Sequence, residues 1–530
     1  MAIRDIFQEG VDQGWNVKAG AEIAENSTIE TDIVIVGSGA GGATTAEILA
    51  QAGFQVILIE EGPLRTSKDF KMLEHTAYTE LYQEGLGRTS TDGAISILQG
   101  RAVGGSTLIN WTSSFRTPEP TLQHWAQEWQ VKGLSSQELQ PWFENREQRL
   151  NIAPSPFPPN PNNEVLSKGC AAKGWHWQHI ARNVKGCGNL GYCGMGCPLN
   201  AKQSMLVTTI PSLLQKNGQL IYSTCAFKLE WKNQRVQRLE CRAIDAVGNK
   251  PSQQKFYIKA KHFVLAGGAI NTPGILLRSK APDPKKLCGK RTFLHLVNFS
   301  WAQFKHDILP FYGAPQTTYT DQFQWSDGVT GQMSYKLEVP PMQPSFAASL
   351  LTGFGEQQAA LMRDLPRSNT MLSLLRDGFH PQSTGGTVSL LSDGMPSVDY
   401  PLNDYIWNGL RRAFISMAQI QLAAGANFVL PLHADAHKVT TEKAAIDMIS
   451  NLDMRRFRVR LGSAHVMGGC SMSEDTNKGL INSTGQHHYL ENLSIHDGSI
   501  FPTSIGANPQ LSIYTISAKL SAELATRLNS

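Results

Sequence analysis

The pattern of apolar and polar positions is clearest near the N-terminus, where two short apolar runs flank a glycine-rich turn. Residues 33–36 are all β-branched, which favours a strand, and the run stops at the glycine-rich stretch 37–42. Residues 43–52 are typical of a helix, and a second apolar run, 56–59, ends at Glu60. The pattern predicts a strand, a tight turn, a helix and a second strand, as in a nucleotide-binding βαβ unit.

The turn has the spacing G-x-G-x-x-G, and its three glycines have different physical roles. Gly37 permits the tight turn, Gly39 lets backbone approach a pyrophosphate, and Gly42 lets the helix pack close to the strand. The free N–H groups at the start of the helix attract phosphate charge, and Glu60 can accept hydrogen bonds from a ribose. We therefore predict nucleotide binding; a βαβ unit without a ligand is the alternative.

Further along the chain, two patterns indicate how the fold continues. Residues 263–277 predict a strand, a glycine turn and a helix with Pro273 in its first turn, which could return the chain to the nucleotide-binding sheet. Residues 290–400 hold short apolar runs separated by Gly, Pro and Asp, as in an antiparallel sheet. A short surface helix is expected within the polar residues 1–30, and longer helices are expected over 118–151, 204–215, 401–424 and 512–527.

Composition restricts the functional classes. The 530 residues are 41% hydrophobic and 17% charged, as in a globular protein, and a net charge of +4 is too small to indicate nucleic-acid binding. No apolar run reaches the length that spans a membrane, and the first residues lack the pattern of a secretory signal. We expect a cytoplasmic protein with no nucleic-acid partner and leave peripheral contact with a membrane open.

Three more stretches carry chemistry. Residues 100–110, GRAVGGSTLIN, form a backbone-exposing turn that can meet a flat ring or a phosphate. Residues 463–470 contain a histidine, His465, and residues 495–511 contain an asparagine, Asn508. A neutral imidazole can take a hydroxyl proton near neutral pH, so a histidine is a natural base for oxidising an alcohol. For an isolated histidine or asparagine, a core hydrogen bond or a helix cap is the alternative.

Together these stretches resemble the glucose–methanol–choline (GMC) family of FAD-dependent oxidoreductases. The resemblance runs in family order from about residue 30 to the C-terminus, whereas residues 290–450 carry no matching motif. It implies an α/β fold in which an FAD-binding Rossmann-like domain is interleaved with an antiparallel-sheet substrate domain backed by helices. The implied segments are an N-terminal extension (1–30), two parts of the FAD-binding domain (31–155 and 216–290), a cysteine-containing connector and cap (156–215), the substrate domain (291–460) and a catalytic and FAD-binding C-terminal segment (461–530).

The resemblance also implies roles for individual residues. His465 would be the base that takes the hydroxyl proton while the hydride passes to flavin N5, and Asn508 would hold the same oxygen. His496 lies beside an FAD-binding aspartate and is interpreted as structural. No histidine lies between Arg101 and Asn110, so FAD is expected to be non-covalent. The implied FAD contacts are Gly37, Ser38, Gly39, Ala40, Gly41, Gly42, Glu60, Glu61, Arg101, Val103, Gly104, Gly105, Ser106, Asn110, Ala226, Asp497, Gly498, Pro509 and Gln510.

A cysteine segment departs from most of the family. Cys187, Cys193 and Cys197 have the spacing C-x5-C-x3-C, and thiolates in such a loop can hold an iron–sulfur cluster. The segment resembles the one that holds a [3Fe-4S] cluster in bacterial FAD-dependent glucose dehydrogenase, but its first gap is one residue longer. It also resembles segments of long-chain alcohol oxidases, for which no cluster is assumed. Free thiols, a zinc site or one disulfide are the alternatives, and Cys470 is interpreted as a small buried apolar residue.

The substrate is predicted to be an apolar primary or secondary alcohol. Met205, Leu206, Val466 and Met467 would suit such a substrate, and ordinary core packing is the alternative for each. A cluster would favour a cytochrome or a quinone as electron acceptor; without a cluster, oxygen stays open. Two other functions also stay open: a light-driven fatty acid decarboxylase of the same family, and an electron-transferring flavoprotein subunit of a dehydrogenase complex.

Overall fold

The larger of the two main sheets has eight strands. The computed structural model describes residues 4–245, 247–248 and 250–530. Seven strands lie side by side and Leu493–Ile495 pairs with one of them, Pro251–Leu265. In spatial order the seven are Asn16–Ala19, Gln219–Tyr222, Val56–Ile59, Thr28–Val36, Pro251–Leu265, Arg235–Ile244 and Thr224–Lys232. The predicted nucleotide-binding unit therefore lies at the centre of this sheet.

Parallel pairing at that centre explains the apolar runs. Thr28–Val36 pairs in parallel with Val56–Ile59 on one side and with Pro251–Leu265 on the other. Residues 33–36 are buried, as in a parallel sheet covered on both faces. The prediction that residues 263–277 return the chain to this sheet is confirmed, since Val264 lies opposite Ile35 in the register.

The other main sheet is antiparallel and has six strands. Its order is Phe428–Pro431, Phe299–Gln303, Ser368–Leu375, Tyr335–Glu338, Thr318–Thr320 and Gln178–His179. The helix Asp404–Ala423 packs on it through apolar side chains such as Leu410, Phe414 and Met417. The predicted fold class, a Rossmann-like α/β unit interleaved with an antiparallel sheet backed by helices, is confirmed.

Short strands from smaller sheets position His465. Leu461–Ser463 pairs in parallel with Ile95–Ile97, and Met467–Gly468 pairs with Lys290–Phe293. Residues 464–466 link the two strands, so the backbone of His465 is held from both sides. Gly386–Leu390 and Pro396–Asp399 belong to the same sheet as Lys290–Phe293 and Met467–Gly468. A separate sheet contains Ser113–Ser114, Ala181–Asn183 and Ile152–Pro154.

The helices follow the sequence pattern with shifted ends. The first helix of the nucleotide-binding unit begins at Ala40, not at residue 43, because Gly39 is already its N-cap. The helix expected over 204–215 begins only at Thr209, after a series of turns. Ser135 and Glu138 form a capping box that divides the stretch 118–151 into two helices. The other helices are Ile6–Asp12, Glu74–Leu81, Glu119–Trp129, Ser136–Arg149, Pro161–Lys173, Gly268–Arg278, Pro344–Leu350, Glu356–Arg363, Glu442–Ser450 and Gln510–Asn529.

None of the helices in the described part of the chain has both the length and the apolar character needed to cross a membrane.

Candidate active site

A long cavity runs between the eight-stranded and six-stranded sheets and links the glycine-rich turn to His465. Gly42, Arg101, Val103 and Gly104 do not line it, but Gly104 and Arg101 hold residues that do. Residues from the sequence prediction that line the cavity are Gly37, Ser38, Gly39, Ala40, Gly41, Glu60, Glu61, Gly105, Ser106, Asn110, Ala226, Asp497, Gly498, Pro509, Gln510, His465 and Asn508. Segments more than 400 positions apart thus share one site.

The glycine-rich turn has the geometry expected of its spacing. Gly37 has a φ of 99°, and a Cβ there would lie 2.3 Å from the Ala266 carbonyl oxygen. A Cβ on Gly39 would meet only the Gly105 Cα, at 3.9 Å, so the backbone there borders open space. A Cβ on Gly42 would lie 1.9 Å from the Gly37 oxygen, where the helix crosses close to the strand end. The turn can therefore receive a pyrophosphate against bare backbone.

Glu60 is held by this turn. Its Oε2 accepts hydrogen bonds from the Ser38 N–H at 3.0 Å and from the Ser38 hydroxyl at 2.5 Å, and its Oε1 accepts one from the Gly62 N–H at 2.8 Å. Burial raises the pKa of this carboxyl, although these donors oppose the shift. Both lone pairs of Oε2 are engaged, whereas Oε1 can accept a second bond, for example from a ribose hydroxyl.

The Gly-Gly-Ser turn lies directly against the first turn. The Gly104 N–H donates to the Ser38 hydroxyl at 2.9 Å, and the Asn110 side chain donates to Gln510 Oε1 at 2.6 Å. The Gln510 side chain in turn donates to the Ser113 carbonyl at 2.8 Å. The side chains of Asn110 and Gln510 thus form hydrogen bonds within the protein. A flat ring in the cavity could therefore approach the backbone next to them.

Asp497 joins the C-terminal segment to the helix Gly268–Arg278. Its Oδ2 accepts from the Gly268 N–H at 2.8 Å and from the Thr272 hydroxyl at 2.6 Å, and its Oδ1 accepts from the Ser499 N–H at 2.8 Å. The neighbouring His496 is not among the cavity-lining residues; its Nδ1 lies 3.1 Å from the Thr45 hydroxyl. Its position suits the structural role proposed for it.

His465 and Asn508 meet in this cavity. Asn508 Nδ2 lies 3.5 Å from His465 Nε2, and both residues line the cavity. Burial, with a smaller contribution from the Lys336 ammonium, lowers the pKa of His465 to about 3. The imidazole is therefore neutral at neutral pH, so one of its ring nitrogens has a free lone pair.

Three further residues surround this pair and were missed by the sequence analysis. His295 Nδ1 lies 3.1 Å from His465 Nδ1, and burial lowers the pKa of His295 well below its usual range. Lys336 and Glu338 contact Asn508. All three lie in the stretch 290–450 that carries no motif. In the sequence, the only indication of a role is that a histidine, a lysine and a glutamate lie inside apolar runs. That pattern does not indicate which residues they contact.

The wall near His465 is apolar. Val297 N–H bonds to the Gly462 carbonyl at 2.9 Å, and the Leu98 N–H bonds to the Ser463 carbonyl at 2.8 Å, so both residues pack beside the histidine segment. Phe299 and Leu372 are paired across two strands of the six-stranded sheet. Seven described cavity-lining residues belong to or pack against one apolar cluster and form this wall: Leu98, Trp111, Val297, Phe299, Phe346, Leu372 and Leu374.

Charged lining residues lie elsewhere. Among the described lining residues, Glu60 and Glu61 follow the second strand of the nucleotide-binding unit, Arg278 donates to the Phe227 carbonyl, and Asp497 is held by Gly268. Of the apolar candidates from the sequence, only Val466 lines the cavity, while Met205, Leu206 and Met467 belong to the core. The cavity is thus polar at its nucleotide end and apolar near His465.

The cysteine segment does not fit an iron–sulfur cluster. Cys187, Cys193 and Cys197 are free thiols, and no three His, Cys, Asp or Glu side chains in the described ranges converge as metal ligands. Cys193 lies 3.6 Å from a guanidinium nitrogen of Arg182, and burial raises the pKa of its thiol. Thiolates in a glycine-rich loop and a resemblance had suggested a cluster, but the described residues contain no such group of metal ligands. No step is assigned to a cluster.

Comparison with known proteins identifies the family. Two models described as GMC oxidoreductase match residues 78–297 and 381–517, which together are more than half of the chain. The chain belongs to the GMC oxidoreductase family. A model described as an NAD(P)-binding Rossmann-like domain matches residues 35–64, which hold the glycine-rich turn. The resemblance inferred from the motifs is confirmed, and the protein is an oxidoreductase.

Individual relatives agree with this family. The long-chain-alcohol oxidase FAO4B of Arabidopsis thaliana is 29% identical, over 93% of this chain and 67% of its own length. The uncharacterized GMC-type oxidoreductase y4nJ of Sinorhizobium fredii is 26% identical, over 95% of this chain and 96% of its own length. The solved structure of pyridoxine 4-oxidase from Mesorbium loti superimposes with a TM-score of 0.68 at 16% identity, over 93% of this chain and 99% of that one. At that identity the similarity shows the fold alone.

Proposed function

We propose that this protein is an FAD-dependent enzyme that oxidises an apolar alcohol to an aldehyde or a ketone, with His465 as the base. The observation that carries the proposal is the approach of His465 and Asn508 in the same cavity as the glycine-rich turn. One polar pair in a site with an apolar wall suits a substrate with one hydroxyl and an apolar body.

The residues present fit a non-covalent FAD. Backbone at Gly39 and Gly105 lines the cavity, and a Cβ on Gly39 would meet nothing closer than 3.9 Å. The helix beginning at Ala40 offers its N–H groups to a pyrophosphate. Glu60 is held by Ser38 and Gly62, and we expect its Oε1 to accept from a ribose hydroxyl. No histidine between Arg101 and Asn110 is available to link a flavin covalently.

The chain's own residues would handle the proton of the alcohol. Bound FAD would supply the acceptor for the hydride of the carbinol carbon. His465 would take the hydroxyl proton at Nε2, the ring nitrogen that faces Asn508. The Asn508 amide would donate to the same oxygen and stabilise the negative charge that develops as the proton leaves.

The apolar substrate is supported by the wall near His465. Phe299, Leu372 and Phe346 offer carbon surface, and the acidic and basic residues of the described lining belong to its nucleotide end. A charged or highly hydroxylated alcohol would lose hydration there without compensating hydrogen bonds. The long-chain-alcohol oxidases among the relatives are consistent with this substrate class.

An anaerobic screen tests the proposal. Purified holoenzyme is mixed with fatty, aromatic, terpenoid, sterol and sugar alcohols, and loss of the visible flavin band is recorded. We expect bleaching by apolar alcohols and none by sugars. Bleaching by sugars alone would contradict the substrate class. Release of carbon dioxide from a fatty acid only under illumination would support the decarboxylase instead.

A further inference from the structure

A buried ion pair lies directly behind Asn508. Lys336 and Glu338 are alternate residues of the strand Tyr335–Glu338, so their side chains share one face. Their side chains are 1% and 0% exposed, and Lys336 Nζ lies 2.9 Å from Glu338 Oε1. An ion pair buried this deeply adds little to stability compared with apolar residues of similar size. Stability alone therefore does not explain the presence of this pair.

Two aromatic rings favour the charged form of Lys336, although burial lowers the pKa of its ammonium. Its ammonium lies 3.0 Å from the ring centroid of Phe115 and 4.4 Å from that of Tyr319. The faces of both rings attract a cation. Together with the Glu338 carboxylate, they offset part of the desolvation of the ammonium.

The pair contacts both ends of the Asn508 amide. Lys336 Nζ donates to Asn508 Oδ1 at 3.2 Å, and Asn508 Nδ2 donates to Glu338 Oε2 at 3.1 Å. Rotating the amide by half a turn would set its N–H groups against the ammonium and its oxygen against the carboxylate. Two charges of opposite sign therefore permit only one orientation of the amide.

That orientation has a consequence for His465. Asn508 Nδ2 has two hydrogens, and with one donated to Glu338 the other is available to His465 Nε2, 3.5 Å away. His465 can accept there only if its own hydrogen is on Nδ1. Nδ1 must then donate to His295 Nδ1, at 3.1 Å. The charges of Lys336 and Glu338 thus set the orientation of Asn508 and, through it, favour one direction of hydrogen bonding to His465 and His295.

We propose that Lys336 and Glu338 are positioning residues that set the direction of the hydrogen-bond chain through Asn508, His465 and His295. As a result, an N–H of Asn508 and the lone pair of His465 Nε2 face each other across 3.5 Å. An alcohol oxygen that binds between them would accept from Asn508 and donate its proton to His465. This inference rests on the proposed function of His465 as the base. The buried ion pair, which contacts Asn508 but not the alcohol, would thus determine which ring nitrogen of His465 carries no hydrogen.

Exchanging the two charges tests the inference. In the double variant Lys336→Glu/Glu338→Lys the ion pair persists, but the amide of Asn508 should reverse and present its oxygen to His465 Nε2. His465 would then carry its hydrogen on Nε2 and could not accept the proton. We expect kcat to fall by about 100-fold, as when a donor to a developing oxyanion is lost, with little change in KM. An exchange variant with the kcat of the wild type would overturn the inference.

A matched pair of variants covers the case in which the exchange variant does not fold. Lys336→Met/Glu338→Leu removes both charges, whereas Lys336→Met/Glu338→Gln keeps an oxygen that can accept from Asn508 Nδ2. Flavin absorbance per polypeptide confirms that both are folded holoenzymes. We expect kcat to be about 10-fold higher in the glutamine variant than in the leucine variant, since a difference of about 1.4 kcal/mol between the two is tenfold in rate. Equal kcat values would overturn the inference.

A spectroscopic readout separates this inference from the proposed function. Nitrogen NMR of isotope-labelled histidines reports which ring nitrogen carries hydrogen, and the His465→Gln spectrum assigns the signal of His465. We expect hydrogen on Nδ1 in the wild type and on Nε2 in the charge-exchange variant. Hydrogen on Nε2 in the wild type would overturn the inference whether or not any alcohol is oxidised. If no alcohol is oxidised but the tautomers behave as expected, the proposed function alone is wrong.

Discussion

Replacing His295 by leucine should slow alcohol oxidation without abolishing cofactor binding. His295 is fully buried, and its Nδ1 lies 3.1 Å from His465 Nδ1. For His465 to accept a proton at Nε2, its Nδ1 must hold a hydrogen, and His295 is the residue that accepts it. His295→Leu removes that acceptor and leaves the flavin-binding turns unchanged.

The size of the effect follows from the lost hydrogen bond. A buried N–H without a partner costs about 1–3 kcal/mol, which His465 can avoid by moving its hydrogen to Nε2. The productive tautomer would be disfavoured by that amount, so we expect kcat to fall between about 5-fold and about 150-fold. His295→Gln keeps a carbonyl oxygen that can accept, and its kcat should lie between those of the wild type and the leucine variant.

The assay is steady-state turnover with an apolar alcohol, with flavin content measured on the same samples. His262→Leu is the matched control, since His262 is also buried and lies 2.9 Å from the Ser494 hydroxyl, away from the cavity. We expect its kcat to remain near that of the wild type. An unchanged kcat in His295→Leu would refute the reasoning, and so would an equal loss in both leucine variants.

Three further predictions concern the cofactor, the substrate and acid stability. Gly39→Val puts a side chain into the open space at the turn, so flavin absorbance per polypeptide should fall to near zero. Phe346→Ala removes carbon surface from the wall and should lower kcat/KM for apolar alcohols by about 10-fold to about 100-fold. Burial lowers the pKa of His262 and of His496 to about 3, below the unfolded value. Below about pH 6.5 each histidine takes up a proton in the unfolded chain but stays neutral in the folded protein, so the free energy of unfolding falls with pH. Denaturant titrations should show about 2 kcal/mol less stability per histidine at about pH 5 than at about pH 7.

The local parts of the fold and the site could be predicted from the sequence. The strand, turn and helix around Gly37 follow from apolar runs and glycine spacing, both of which act over a few residues. The His465 and Asn508 stretches could be assigned because motifs accompany them. The segment boundaries proposed from the sequence stay a prediction.

The surroundings of the histidine could not be predicted. His295, Lys336 and Glu338 reach His465 or Asn508 across about 170 positions of the chain, through strand pairings that no local pattern encodes. The cysteine segment is the reverse case, because its spacing suggested a metal site while loop geometry decides whether the sulfurs converge. Spacing specifies local geometry, whereas distant contacts depend on packing.

The most direct test of His465 as the base is the rate of anaerobic flavin reduction by an apolar alcohol. The rate is measured after rapid mixing in the wild type and in His465→Gln. Glutamine keeps a polar side chain in the cavity but cannot act as the base. We expect equal flavin content and a rate constant lower in the variant by about 100-fold or more, the range for removal of a general base. Flavin reduction at the wild-type rate in His465→Gln would contradict it.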